Sequence, residues 1–200
     1  MSIDLKRRSF LVGGLSFLGV MVTSRIADPL HPIMKLPALP KAVAPQAGLA
    51  LPSKSLSLHN IHTLETMHVE YWKDGDYCKT AQGALNHILR DRRNDKLCEM
   101  NPQLFDMMHA LARELNTTEP FEIICGYRSP ETNTMLHKAS SGVAKNSKHL
   151  TGDAIDLRLP GVKLATLRDA AKSLQMGGVG YYPKSNFVHI DIRDTPAYWS

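Results

Sequence analysis

The chain is poor in cysteine. Its 200 residues hold three, Cys78, Cys98 and Cys125, with no Cys-x-x-Cys pair among them. Three scattered cysteines do not make a disulfide scaffold. A single Cys78–Cys98 bridge is compatible with an oxidising compartment. Cys125 falls in Phe121-Glu122-Ile123-Ile124-Cys125, which alternates like a half-buried strand, so it reads as a small core hydrophobe and not as a nucleophile. Strong charge is missing as well. The formal net charge of +5 loses Lys6, Arg7, Arg8 and Asp4 if residues 1–24 are set aside, leaving +3. That excess is too mild for a nucleic-acid partner. No internal repeat is visible, and no further membrane-spanning run follows the first thirty residues.

Those first thirty residues stand apart from the rest. Lys6-Arg7-Arg8-Ser9-Phe10-Leu11 leads into an apolar run, Leu11 to Val22, interrupted only by Gly13, Gly14, Ser16 and Gly19. A basic start, paired arginines before Phe-Leu and an apolar stretch too short to span a bilayer resemble a twin-arginine export signal over residues 1–27. An ordinary secretory signal is the competing reading, and both place the chain outside the cytoplasm. Val22-Thr23-Ser24 offers small residues for cleavage, but there is no Ala-x-Ala. Membrane attachment would therefore come only through an uncleaved signal.

Residues 28–52 carry six prolines without periodicity and read as an extended linker. A folded domain is expected over 53–200. Leu56 and Leu58, then Met67, Val69 and Tyr71, alternate with polar residues as in a β-hairpin. Ala81, Ala84, Leu85, Ile88 and Leu89 recur at helical spacing. Asn101 and Pro102 cap a second helix containing Leu104, Met107, Met108, Leu111 and Leu115. A strand over Phe121–Cys125 leads to Arg128, and Pro130 opens a short helix. After a loop over 139–148 comes a strand from Ala154, then a helix from Leu164 to Leu174 that Gly177-Gly178 ends. Two strands joined at Pro183–Asn186 close the chain. This order predicts an α+β fold, with helices packed on an antiparallel sheet.

The chemistry gathers in Ser147-Lys148-His149-Leu150-Thr151-Gly152-Asp153-Ala154-Ile155-Asp156 and in Val188-His189-Ile190-Asp191. Side chains on a strand alternate between faces, so Ile155 and Leu157 turn to the core and Asp156 away from it. By the same rule His189 and Asp191 share a face opposite Val188 and Ile190. Gly152 permits a backbone turn that brings His149 back over Asp156. His149, Asp156 and His189 would then form a three-ligand N/O site, which suits Zn2+ with a fourth position open for catalysis.

The motif Ser147-x-His149-x-x-Gly152-x-Ala154-x-Asp156 with a later His189-x-Asp191 resembles that of the zinc D-Ala-D-Ala metallopeptidases. That family shares its fold with lysostaphin-type enzymes and the hedgehog signalling domain. Leu56-x-Leu58-His59-Asn60-x-His62-Thr63 and Gly126-Tyr127-Arg128-Ser129-Pro130 extend the resemblance to exported murein endopeptidases, over about residues 53–195. It implies His149, Asp156 and His189 as zinc ligands, with Ser147 and Arg128 facing substrate and Arg128 beside a carbonyl or carboxylate. Relatives that carry a Glu, Asp or His as general base shortly before the last zinc histidine differ here, where those positions hold Asn186 and Phe187. Asp191 then becomes the candidate general base, with orientation of an imidazole as its alternative role. His62 and His137 are candidate contacts at the cleft.

The resemblance implies a periplasmic zinc endopeptidase that hydrolyses amide bonds in the stem peptides of peptidoglycan, delivered by the twin-arginine machinery. A carboxypeptidase removing terminal D-alanine and a non-catalytic, zinc-stabilised wall-binding module are the alternatives.

Overall fold

The computed structural model describes residues 52–140 and 142–200, so the expected signal and nearly all of the proline-rich linker lie outside the described residues. Strands β1 (Lys54–Asn60), β2 (Thr66–Lys73) and β3 (Asp76–Tyr77) come first, followed by helices α1 (Lys79–Ile88) and α2 (Pro102–Glu114). Next are β4 (Phe121–Cys125), α3 (Pro130–Ala139), β5 (Ala154–Arg158) and α4 (Leu164–Ser173). The chain closes with β6 (Gly178–Tyr182), β7 (Phe187–Asp191) and β8 (Ala197–Trp199). All eight strands join one sheet in the order β3-β2-β1-β4-β5-β7-β6-β8.

The fold is α+β as predicted, but the sheet is mixed and not purely antiparallel. β1 runs parallel to β4, and β6 runs parallel to β8. Both departures have a topological cause. Between β1 and β4 lie α1 and α2, a connection long enough for a crossover to a parallel neighbour. β7 is already flanked by β5 and β6, so a strand turning back after it can pair only beyond β6. Running antiparallel to β7, that strand is necessarily parallel to β6.

Alternation along the central strands separates a greasy face from a polar one. Leu58, Phe121, Ile123, Ile155, Leu157, Val179, Val188 and Ile190 are buried in one core with Leu85, Leu104, Met108, Leu111 and Leu167 from the helices. Each fully buried aliphatic side chain of this kind contributes roughly 1.5–3 kcal/mol. Local chemistry sets the helix starts. Asn101 accepts a hydrogen bond from the Gln103 amide ahead of Pro102, and Ser129 does the same for Thr132 ahead of Pro130.

The glycine pair 177–178 does not end α4. That helix stops at Ser173, and Gln175 takes the left-handed conformation beyond it (φ 51°). The glycines serve a close approach instead, since a Cβ at Gly177 would lie 1.9 Å from the Asp191 carbonyl oxygen. Cys78 and Cys98 are free thiols, not a bridge. Cys78 stands exposed at the start of α1, whereas the Cys98 sulfur lies against the backbone near Gly152.

Asp106 on α2 ties the edge of the sheet to the helices. It accepts hydrogen bonds from Lys54 Nζ (2.7 Å), from the Tyr71 hydroxyl (3.0 Å) and from the Tyr77 hydroxyl. Burial alone would raise its pKa, but Lys54 and the two hydroxyls outweigh burial and hold it below the usual carboxylate value. A depressed native pKa gives stability that is complete above about pH 4 and disappears as pH falls through the native value. Asp106→Asn should therefore lower unfolding free energy by roughly 1–3 kcal/mol at pH 7. In urea melts the gap between the two proteins should narrow steadily toward acid, and a gap independent of pH would count against this role.

Candidate metal centre

Strand register lines up one residue from each of five strands: Cys125, Asp156, His189, Gly180 and Trp199 are successive neighbours from β4 to β8. Asp156 and His189 point away from the helices because their strand neighbours Ile155, Leu157, Val188 and Ile190 fill the core. Cys125 joins this row through an irregularity in pairing. Ile123 faces Leu157 and Cys125 faces Asp156, so two steps along β4 match one along β5. An extra residue of this kind inverts the faces that follow it. The sulfur therefore lies beside the polar cluster and is not the core hydrophobe that simple alternation predicts.

His149 reaches the row from a single 3-10 turn, Lys148–Leu150. The Ser147 hydroxyl accepts from the His149 amide (3.3 Å) and caps this turn. Gly152 supplies the left-handed step after it (φ 73°), where a Cβ would come within 2.5 Å of the Glu99 carbonyl oxygen. The Gly152 carbonyl accepts from the Asn101 amide (2.9 Å), and the His149 carbonyl accepts from the Arg128 amide (3.0 Å). The loop is thus fastened both to the start of α2 and to the segment after β4.

Three acceptor atoms converge at the centre. His149 Nε2 lies 3.2 Å from His189 Nδ1 and 3.2 Å from Asp156 Oδ1, and His189 Nδ1 lies 2.8 Å from the same oxygen. The remaining ring nitrogens fix the tautomers. His149 Nδ1 faces the Gly126 carbonyl oxygen at 2.7 Å, which can only accept, so that nitrogen carries the proton. His189 Nε2 faces Asp191 Oδ2 at 3.1 Å and donates to it in the same way. Two imidazole lone pairs and a carboxylate oxygen therefore point at one another, with His149 and Asp156 almost wholly buried (2% and 5% exposed).

Such a cluster demands a positive charge between its members. Burial disfavours a charged His149, but the Asp156 carboxylate and the Cys125 sulfur outweigh it and hold the imidazole pKa well above its ordinary value. Burial would likewise raise Asp156, yet the two imidazoles keep it well below the usual carboxylate range. A tetrahedral site with bonds of about 2.0–2.1 Å to nitrogen and oxygen places its ligands about 3.3 Å apart. The donor set and its spacing fit a metal ion. Cys125, His149 and Asp156 also place one ligand atom each within 4.8 Å of one another, so the sulfur borders the same position.

Asp191 shares the His189 face, as the alternation predicts, but it sits on the Nε2 side of the ring and is fully buried. Its Oδ1 accepts from Arg193 Nε (2.6 Å) and its Oδ2 from the other arm of that guanidinium (2.5 Å). Burial would raise its pKa, but His189 and Arg193 hold it well below the usual range.

Arg128 borders the same cleft, 3.9 Å from Asp156 Oδ2. Its terminal nitrogens donate to Asn133 Oδ1 (3.3 Å) and the Cys125 sulfur (3.5 Å), while its buried Nε has no partner among the described residues. Asp91 secures this segment by accepting from the Ser129 amide (2.9 Å). Ser147 also lines the cleft, whereas His62 and His137 do not. Sequence reasoning missed Tyr182, Arg193 and Trp199 on the opposite wall. The three-residue strand that carries Trp199 is too short to show periodicity.

Comparison with known proteins follows the same stretch of chain. A family model described as Peptidoglycan L,D-endopeptidase MepK matches residues 49–198. The peptidoglycan L,D-endopeptidase MepK of Escherichia coli (strain K12) is 42% identical over 158 residues, covering 77% of this chain and 87% of its own length. The protein of the same name from Shigella flexneri matches equally. A probable peptidoglycan L,D-endopeptidase MepK of Haemophilus influenzae is 39% identical over 159 residues, covering 77% of this chain and 86% of its own. On the family match and on these identities, the chain belongs to the Peptidoglycan L,D-endopeptidase MepK family.

Proposed function

We propose that the protein is a zinc-dependent murein endopeptidase that hydrolyses an L,D amide bond in peptidoglycan peptide cross-links. The observation that carries this reading is the convergence of two imidazole lone pairs and one carboxylate oxygen on a single buried point beside an open cleft. The names of its relatives supply the substrate and the bond type. Their family also supports a sheet of the lysostaphin, D-Ala-D-Ala peptidase and hedgehog type. The twin-arginine signal over 1–27, the linker over 28–52 and the domain over 53–200 belong to the same reading, which places the enzyme in the periplasm. Among the described residues no helix is long and apolar enough to cross a membrane.

His149 Nε2, Asp156 Oδ1 and His189 Nδ1 would hold the ion. Bound Zn2+ supplies Lewis acidity at a peptide carbonyl and makes a water more acidic near neutral pH. The protein's own groups do the rest. Gly126 and Asp191 fix the imidazoles so that the right nitrogens face inward. Arg128 brings a permanent positive charge to the edge of the cleft where a carbonyl develops negative charge or a substrate carboxylate docks. Asp191 has both oxygens engaged and its pKa held down, which supports the orienting role over that of general base.

Purified protein should contain one zinc per chain and release cross-linked muropeptides as fragments identifiable by mass spectrometry. Chelation, or His149→Ala, should abolish both. Undiminished cleavage by a metal-free His149→Ala protein would refute the reading, and free D-alanine as the sole product would replace it with a carboxypeptidase. Arg128→Ala should lower turnover roughly 100- to 1,000-fold while zinc content stays at one per chain. Loss of zinc together with activity in that variant would instead make Arg128 a structural residue.

A further inference from the structure

The end of the chain builds a wall against one ligand. Trp199 packs against the His189 imidazole with ring centroids 5.4 Å apart, and its Nε1 donates to the Tyr182 hydroxyl at 2.9 Å. The Arg193 guanidinium that grips Asp191 also lies 5.0 Å from the Trp199 ring centroid. Glycines create the space for both groups. A Cβ at Gly180, which stands between His189 and Trp199 in the cross-strand row, would come within 2.6 Å of Trp199 Nε1. A Cβ at Gly178 would lie 2.6 Å from Arg193 Nε and from the Asp191 carboxylate oxygens. Two bare positions on one strand therefore admit an ion pair and an indole directly over the His189 side of the centre.

This arrangement answers a specific need. His189 presents Nδ1 inward and Nε2 outward, and rotation of the ring about its Cβ–Cγ bond would carry Nδ1 away from Asp156. Asp191 restrains one edge of the ring through a single hydrogen bond. The indole packs against the ring itself, centroid to centroid at 5.4 Å, and adds a steric restraint to that single bond. We propose that Trp199, seated in the notch left by Gly180 and held by Arg193 and Tyr182, is a positioning residue that locks the His189 imidazole with Nδ1 toward Asp156 and His149. The proposal rests on the metal reading above.

The test uses the full chain in a Trp72→Phe background, which leaves Trp199 as the only tryptophan of the two. Zn2+ added to the metal-free protein should change the indole fluorescence and saturate at one equivalent. Chelator competition should show Trp199→Ala binding zinc 10- to 100-fold more weakly in the Trp72-containing chain, with Trp199→Phe recovering most of the loss. Gly180→Ala keeps every ligand and every aromatic ring but fills the notch, so it should weaken zinc to a similar degree. In both weakened proteins, saturated with zinc, kcat should fall while KM stays within about twofold. Thermal melts identify any variant that fails to fold, and the phenylalanine variant then decides. Parental zinc affinity in folded Trp199→Ala and Gly180→Ala would overturn the proposal, as would an effect confined to KM, which would make Trp199 a substrate contact. Failure of the parent chain to take up zinc would remove the metal reading and this proposal together, whereas tight binding by parent and variants alike removes the proposal alone.

Discussion

The structure is organised around a repulsion. His149 Nε2, His189 Nδ1 and Asp156 Oδ1 all accept hydrogen bonds, and they lie 2.8–3.2 Å apart in a buried place. Acceptors brought this close are stable only around a positive charge, which a proton on His149 or a metal ion can provide. Neither tautomer is accidental. The Gly126 carbonyl and the Asp191 carboxylate each claim the outer nitrogen of one ring, so the inner nitrogens are left as acceptors facing one another.

Much of the remaining fold keeps these atoms in place. The helices bury one face of the sheet, which leaves the opposite face of β5 and β7 to carry Asp156 and His189. Close backbone approaches hold the flanks. Gly126 lies where a Cβ would meet the Leu89 carbonyl oxygen at 2.4 Å, and Tyr127 donates its amide to that same oxygen at 2.7 Å. This contact fixes the carbonyl that orients His149. Gly152 plays the corresponding part beneath the His149 turn. Larger side chains at either position would move His149 without touching it, which explains how residues outside the centre govern its geometry.

The parts of this plan carried by local pattern were legible in the sequence. Alternation in Ala154–Leu157 and Phe187–Ile192 places Asp156 and His189 on the polar face, and Asn101-Pro102 and Ser129-Pro130 announce helix starts. Features that depend on pairing between strands were not. The two parallel pairs follow from which strand edges remain open, and no single segment encodes that. Cys125 changes face because of an irregularity in its register with β5. Trp199 lies on a three-residue strand, and its place beside His189 depends on Gly180 in β6. For Asp191, the sequence showed the shared face with His189, but only the structure shows both oxygens occupied by Arg193 and His189.

The most direct test is a crystal structure of zinc-loaded protein with anomalous data collected at the zinc edge. A single strong peak is expected, bounded by His149 Nε2, Asp156 Oδ1 and His189 Nδ1, with His189 Nε2 still donating to Asp191. A peak ligated through His189 Nε2, one in which Cys125 replaces His189, or no peak at this position would contradict it.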